Sequence, residues 1–277
     1  MLDLVRKIIK KRRSKPLLVS LLHCLYEAQD PSLCQFVVEQ LEGELNLDRT
    51  SLTPVDCLAI GYFISSVSLT ASRVKQFTVY LTGCLLGDAG TKSLIQSICR
   101  SVDPHSPVNT HVSIHLWYNG IHEEGASHIA EVLNRTGIVS MLSLCHNPIG
   151  DKGLQTIFDT LKQNNTLKYL NVAYCEMTDT GVASLADALH TNNTLETLYI
   201  YGSYATENGL TCLVEVLSGY SGLVELGLPN HLRSSVYKMK KTINESRKRS
   251  GLAAIVVFSK YSMLRNDCFH GNKANTE

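Results

Sequence analysis

Long apolar runs, tryptophan and an excess of charge of either sign are what this 277-residue sequence has least of. The longest apolar stretch, about Leu17–Leu25, is roughly half of what a bilayer-spanning helix needs, so no membrane span is expected. Basic residues up to Lys15 precede it, as in a signal peptide, but it continues as amphipathic sequence with no small-residue cleavage site. The nine cysteines are an odd number and contain no C-x-x-C spacing. That excludes a disulfide framework and points to free thiols in a reducing, cytoplasmic setting.

Charged residues make up only 18% of the chain, and 26 Lys+Arg against 25 Asp+Glu leave a formal net charge of +1. This balance is a cancellation. Residues 1–15 carry seven bases and one acid, residues 16–237 ten bases and 21 acids, and residues 238–277 nine bases and three acids. An acidic body between two basic ends does not read as a nucleic-acid binder. The run Lys10-Lys11-Arg12-Arg13-Ser14-Lys15 has the composition of an import signal or an anionic-membrane contact, but reads first as a solvated linker.

What is present is a repeat. Segments 166–193 and 194–221 align without a gap at a spacing of 28. The first strand residue falls at Val79, Ile114, Leu142, Leu170, Leu198 and Leu226, at intervals of 35, 28, 28, 28 and 28, and glycine follows in register at Gly90, Gly125, Gly153, Gly181 and Gly209. Each unit begins with alternating apolar residues and a turn residue (Cys84, Asn119, Asn147, Cys175, Ser203), and the glycine comes six residues later. Beyond it the apolar spacing becomes helical, as in Leu154, Ile157, Phe158 and Leu161. A period that switches from 2 to 3.6 within one unit predicts a short strand followed by a helix. One such unit cannot bury its apolar face alone, so the expected architecture is an open α/β solenoid of stacked units sharing one core.

The segments LKYLNVAYCEMTDTGVASLADAL and VSMLSLCHNPIGDKGLQTIFDTL resemble leucine-rich repeats of the ribonuclease-inhibitor type, whose strand reads L-x-x-L-x-L-x-x-N/C. Upstream, LLHCLYEAQDPSLCQFVVEQL (21–41) and LTPVDCLAIGYFISSV (52–67) are similar to the junction at which NOD-like receptors, the NACHT and leucine-rich-repeat family, enter their repeats. The resemblance implies a recognition or autoregulatory module of a cytosolic innate-immune receptor. A NACHT domain in a longer protein is an implied partner, and the chain itself lacks one. Three segments are expected: a basic and helical segment 1–41, a leucine-rich-repeat domain with caps 42–260, and a flexible tail 261–277.

Thr53-Pro54 with Asp56 reads as a helix start, Leu45 and Leu47 as a leading strand, Ser234–Arg249 as a last helix and Ala254–Phe258 as a terminal strand. The bases Lys238, Lys240, Lys241, Arg247, Lys248 and Arg249 are assigned to the wet face of that last helix. Seven extra residues between the first two full repeats fall in a proline-bearing loop near Ser106-Pro107. The sequons at Asn134, Asn164 and Asn192 lie in repeat turns, where Asn has a structural use.

Chemistry is scarce. Gly87–Ser93 resembles a phosphate-binding loop, but Thr91 separates Gly90 from Lys92 and puts the lysine out of register. His111 and His115, four apart on a strand, are separated by about 13 Å at ~3.3 Å per residue, too far to share an ion. With no interpretable nucleophile, base and acid, the chain reads as a non-enzyme without metal or cofactor.

The strand residues facing away from the core form the inner, concave strip. Alternation places there Tyr80, His115, Trp117, Met141, Tyr169, Asn171, Tyr199 and Tyr201, with Tyr118 and Tyr174 just beyond and Glu225 as the single charge. Aromatic enrichment with charge depletion is the composition of an interface centre, so these residues are the candidate binding site for a protein or peptide ligand. The alternatives are a ribonuclease-inhibitor-like inhibitor, which wants an acidic ring on this face; a GTPase-activator-like accessory, which wants a catalytic arginine such as Arg100 or Arg135; and an actin-related scaffold.

Overall fold

The computed structural model describes residues 14–69, 73–102 and 107–258. The basic run before Ser14, Ser106 of the proline-bearing loop and the tail beyond Phe258 lie outside the described residues. Eight short strands form one parallel sheet in chain order: β1 Glu44–Asn46, β2 Gln76–Tyr80, β3 His111–His115, β4 Val139–Ser143, β5 Tyr169–Asn171, β6 Thr197–Tyr199, β7 Glu225–Gly227 and β8 Val256–Phe258. Register pairs Val79 with Ile114, Ile114 with Leu142, Leu142 with Leu170, Leu170 with Leu198 and Leu198 with Leu226. The apolar residue that recurs in the sequence therefore becomes a ladder across the sheet. A register shift at Val112/Ser113 marks the pairing of β3 with β4.

Each full unit returns through a helix: α4 Gly87–Ser101, α5 Glu123–Arg135, α6 Gly150–Leu161, α7 Asp179–Leu189 and α8 Gly209–Gly219. Leu154, Ile157, Phe158 and Leu161 of α6 are buried, as are Val182, Leu185, Ala186 and Leu189 of α7, and they meet the inward strand residues in one continuous core. At about 1.5–3 kcal/mol for each fully buried large aliphatic side chain, this shared core is the main stabilising term of every unit.

Polar ladders bind one unit to the next. The Asn147 side chain accepts from the backbone N–H groups of Asn119 (3.0 Å) and Ile121 (3.1 Å) and donates to the carbonyls of Leu116 (2.8 Å) and Leu144 (2.7 Å). Asn119 does the same one unit earlier, accepting from Cys84 and donating to Leu81 and Trp117. Where the position is cysteine, only a donor remains: Cys175 Sγ donates to Leu144 O at 3.2 Å and Cys84 Sγ to Leu47 O at 3.2 Å. Burial pushes the Cys175 thiol up to about 12 and the Cys84 thiol up to about 11, so both stay protonated donors.

A second ladder explains the recurring glycine. Asp151 opens α6, and its carboxylate caps the next helix by accepting from the N–H groups of Thr178 (2.8 Å) and Gly181 (3.1 Å) and from the Thr178 hydroxyl (2.5 Å). Asp88 accepts from His122 and Gly125, and Asp179 from Thr206, in the same way. A Cβ on Gly181 would lie 2.5 Å from that Asp151 oxygen and from Met177 Cγ, so the glycine is there for close approach. The N-termini of α5, α7 and α8 are thus capped by an acid of the preceding unit. Asn164 and Asn192 fix the turns before β5 and β6. The Asn192 amide donates to Leu161 O and Asn164 O and accepts from Thr194 and Leu195.

The leading end is closed by helices. In α3, Pro54–Leu69, every residue from Ala59 to Ser68 is buried, an all-round apolar helix of the kind that lies inside a core. α1 (Lys15–Ala28) and α2 (Pro31–Gln40) pack against it. Thr53 and Asp56 form a reciprocal cap at its start, with Thr53 N donating to Asp56 at 2.7 Å and Asp56 N donating to Thr53 Oγ1 at 3.3 Å. His23 Nε2 lies 2.7 Å from the same carboxylate and ties α1 to the cap.

The trailing end departs from expectation at one residue. α9, Arg233–Arg249, carries Lys238, Lys240, Lys241, Lys248 and Arg249 on its exposed face, but Arg247 is 1% exposed. Its guanidinium donates to the carbonyls of Ala253 (2.6 Å), Leu223 (3.3 Å), Leu217 (3.4 Å) and Tyr220. An arginine at that phase of the helix faces α8 and the turn before β7, and its rigid fork closes backbone acceptors that the last unit leaves open.

Candidate functional site

The side chains of the inner strip do come together on one face of the sheet, but most are not exposed. Trp117, Cys145, Ala173, Tyr199 and Tyr201 form a second apolar cluster, separate from the main core, with Tyr169 and Tyr174 packed against it. Trp117 Nε1 donates to Ser143 Oγ, and the Tyr199 hydroxyl donates to the Glu225 carboxylate. Tyr199 meets Tyr169 edge-on at 5.5 Å and stacks on Tyr201 at 5.5 Å. Further along, Tyr80 stacks on His115 at 4.6 Å. His115 and Asn171 are buried, while Tyr80, Met141 and Tyr169 are half-buried.

The inner face is therefore a packed aromatic floor, with Tyr80, Met141 and Tyr169 offering its accessible area. Large rings on adjacent short strands reach one another across the ~4.8 Å strand spacing, so they close over each other. The Glu225 carboxylate on the strip is engaged by Tyr199, and register places a second acid, the exposed Glu44, at the β1 end of the same row. The Tyr201 hydroxyl and Asn171 Nδ2 are buried without a hydrogen-bond partner among the described residues. Burial, and then the nearby Glu225, push the Tyr201 phenol well above its ordinary value, so it stays a neutral donor.

A second row of rings borders this floor. Tyr118, His146 and Tyr174 stack in series, with centroids 4.2 and 4.3 Å apart and planes within 11° and 4° of parallel. All three adopt left-handed backbone, with φ of 51°, 58° and 55°. Each sits one residue before the turn position, and in the flanking units that place is Gly83 and Gly202, also at positive φ. The Tyr174 ring lies directly over Gly202, where a Cβ would collide with it. Left-handed conformation costs roughly 1–2 kcal/mol for a residue with a Cβ, so the stack holds three strained positions. Burial keeps the His146 imidazole below its usual pKa and neutral between the two phenols. Tyr118 is 55% exposed. His146 escaped the sequence reading; its signal was the row Gly83, Tyr118, His146, Tyr174, Gly202 recurring in repeat register.

No group of three or more His, Cys, Asp or Glu side chains among the described residues is placed to hold a metal ion. Among those residues, too, no helix is long and apolar enough to cross a membrane. Gly87–Ser93 opens α4 inside the repeat register, with Gly90 packed on Leu86 and Cys57.

Residues 142–158 and 163–186 match the family described as Leucine Rich repeat. Among solved structures, the chain is similar to leiomodin-1 actin-binding site 2, at 16% identity and a TM-score of 0.42 over 52% of this chain and 84% of that one. It is also similar to the yeast Rad7 and Elc1 complex, at 13% identity and a TM-score of 0.32 over 84% of this chain and 72% of that one. No curated protein matches the sequence. Strand-helix units stacked on one parallel sheet, two of them matching that family, define the class: a leucine-rich-repeat-related α/β solenoid.

Proposed function

We propose that the inner face of the solenoid binds a protein or peptide ligand, and that the chain is a recognition or autoregulatory module of the kind found in the repeat region of cytosolic NOD-like receptors. The observation that carries the first part is the floor itself: aromatic over Trp117, Tyr169, Tyr199 and Tyr201, and with the Glu225 carboxylate already engaged. Such a surface rewards apolar and polar-neutral groups. Strain stored along the Tyr118–His146–Tyr174 row fits a surface held for contact. The receptor reading rests on segments 21–41 and 52–67, on ribonuclease-inhibitor-type repeat spacing and on cysteines that are free thiols in the described residues. It implies a cytoplasmic setting and a NACHT domain as partner in a longer protein.

Direct contact belongs to the accessible side chains Tyr80, Met141 and Tyr169, while Trp117, Tyr199 and Tyr201 shape the floor beneath them. Peptides selected from a random display library on the wild-type chain should lose at least tenfold in affinity to the Tyr80→Ser/Met141→Ser/Tyr169→Ser variant. Its unfolding temperature should stay within a few degrees of wild type. Undiminished binding by the folded variant would contradict the assignment.

A further inference from the structure

Among the described residues, the last unit of the solenoid ends on an unpaired strand edge. β8 pairs with β7 on one side, and no described strand pairs with its other edge. Val256 N–H donates inward to Val224 O at 2.9 Å, so strand alternation turns the N–H and C=O of Val257 outward. Val256 itself is 48% exposed. Beside this edge, α9 and the segment leading to β8 enclose a groove of about 490 Å³ lined by Tyr237, Lys240, Lys241, Lys248, Leu252 and Ala254. Asn244 holds the two walls in register by accepting from Ile255 N at 2.9 Å and donating to Ile255 O at 3.2 Å.

The groove combines three kinds of contact. Leu252, Ala254 and the ring of Tyr237, which is 73% exposed, supply apolar walls. Three ammonium groups face one carboxylate, Glu245, which lies 3.8 Å from Lys241. Lys240 and Lys248 have no ion-pair partner among the described residues. The third contact is the strand edge, which only a polypeptide backbone can use in register. Free polyanions would satisfy the lysines alone. The nineteen residues after Phe258 are a poor fit to the lysines, because they hold three Lys+Arg against two Asp+Glu.

We propose that this terminal face docks an acidic, extended polypeptide segment of a partner, which adds to β8 as a ninth strand and lays carboxylates along Lys240, Lys241 and Lys248 and an apolar side chain into the groove. Charge complementarity selects the segment, and main-chain hydrogen bonds to Val257 fix its register. The site is separate from the nearly charge-free inner face, so its occupant is of opposite character to the ligand proposed there.

The probe is a nine-residue peptide of alternating Glu and Val, fluorescently labelled and titrated with the full chain at low salt. Anisotropy should report binding that weakens at least tenfold in the folded Lys240→Glu/Lys248→Glu variant. The same loss is expected when alternate peptide amides are N-methylated, and the Lys-Val counterpart should not bind. Four results would overturn the proposal: no binding of the Glu-Val peptide, equal binding by the double variant, equal binding of the N-methylated peptide, or displacement by inorganic triphosphate at lower concentration than by unlabelled peptide. So would binding seen only after residues 259–277 are removed, which would make the groove's occupant the chain's own tail.

Discussion

Replacing Arg247 by methionine is expected to destabilise the last unit by about 2–4 kcal/mol. Four carbonyls, of Leu217, Tyr220, Leu223 and Ala253, share its guanidinium, and leaving a buried acceptor unpaired costs about 1–3 kcal/mol. Part of that loss is returned, because the variant no longer buries a charge. Burial already holds the Arg247 pKa below the usual arginine value, yet the group stays ionised at any ordinary pH. Lysine should recover less than half of the loss, since one ammonium cannot span acceptors contributed by α8, the turn before β7 and the strand approach to β8. Because units of a solenoid touch only their neighbours, the damage should be local. Native-state hydrogen exchange should show β7, α9 and β8 losing protection while β3 to β5 keep theirs. Loss of protection throughout the sheet would show that the cap governs the whole array.

The second large effect is expected at Asn147. Leucine there is close in volume but removes all four hydrogen bonds, three of which join its unit to the preceding one, leaving two buried N–H groups and the Leu116 carbonyl unpaired, while Leu144 O keeps its bond from Cys175. The expected cost is about 3–5 kcal/mol. Cysteine should cost about half as much. The sequence itself makes that substitution at Cys84 and Cys175, where the thiol keeps the donor arm to the preceding unit's carbonyl and gives up the acceptor arm. Urea unfolding of the two variants separates the cases: a midpoint shift for Asn147→Cys as large as that for Asn147→Leu would mean that the acceptor arm carries the whole stabilisation.

Most of the frame was legible because a repeat states its own register. The apolar ladder Val79, Ile114, Leu142, Leu170, Leu198 and Leu226 pairs across the sheet at the positions where periodicity put it. The glycine series was visible too, but not its reason, because the acids that approach Gly125, Gly181 and Gly209 lie about thirty residues upstream and are fixed only by stacking. Arg247 was assigned to the wet face on charge alone. Side-chain type gives no warning when a cation's partners are backbone carbonyls gathered from three segments. The inner face was readable as a set of residues but not in its exposure. Alternation places Trp117, Tyr199 and Tyr201 on that face, whereas their burial depends on side chains of neighbouring units packing over one another.

We propose that the solenoid meets its ligand on the aromatic inner face and not on its helices. Site-specific photo-crosslinking tests it most directly, with the reactive side chain introduced at Tyr169 on the inner face or at Lys152 on the exposed surface of α6. In cells expressing the full chain, a discrete polypeptide adduct is expected at position 169 and not at 152. Equal labelling at both positions, or an adduct at 152 alone, would contradict the account.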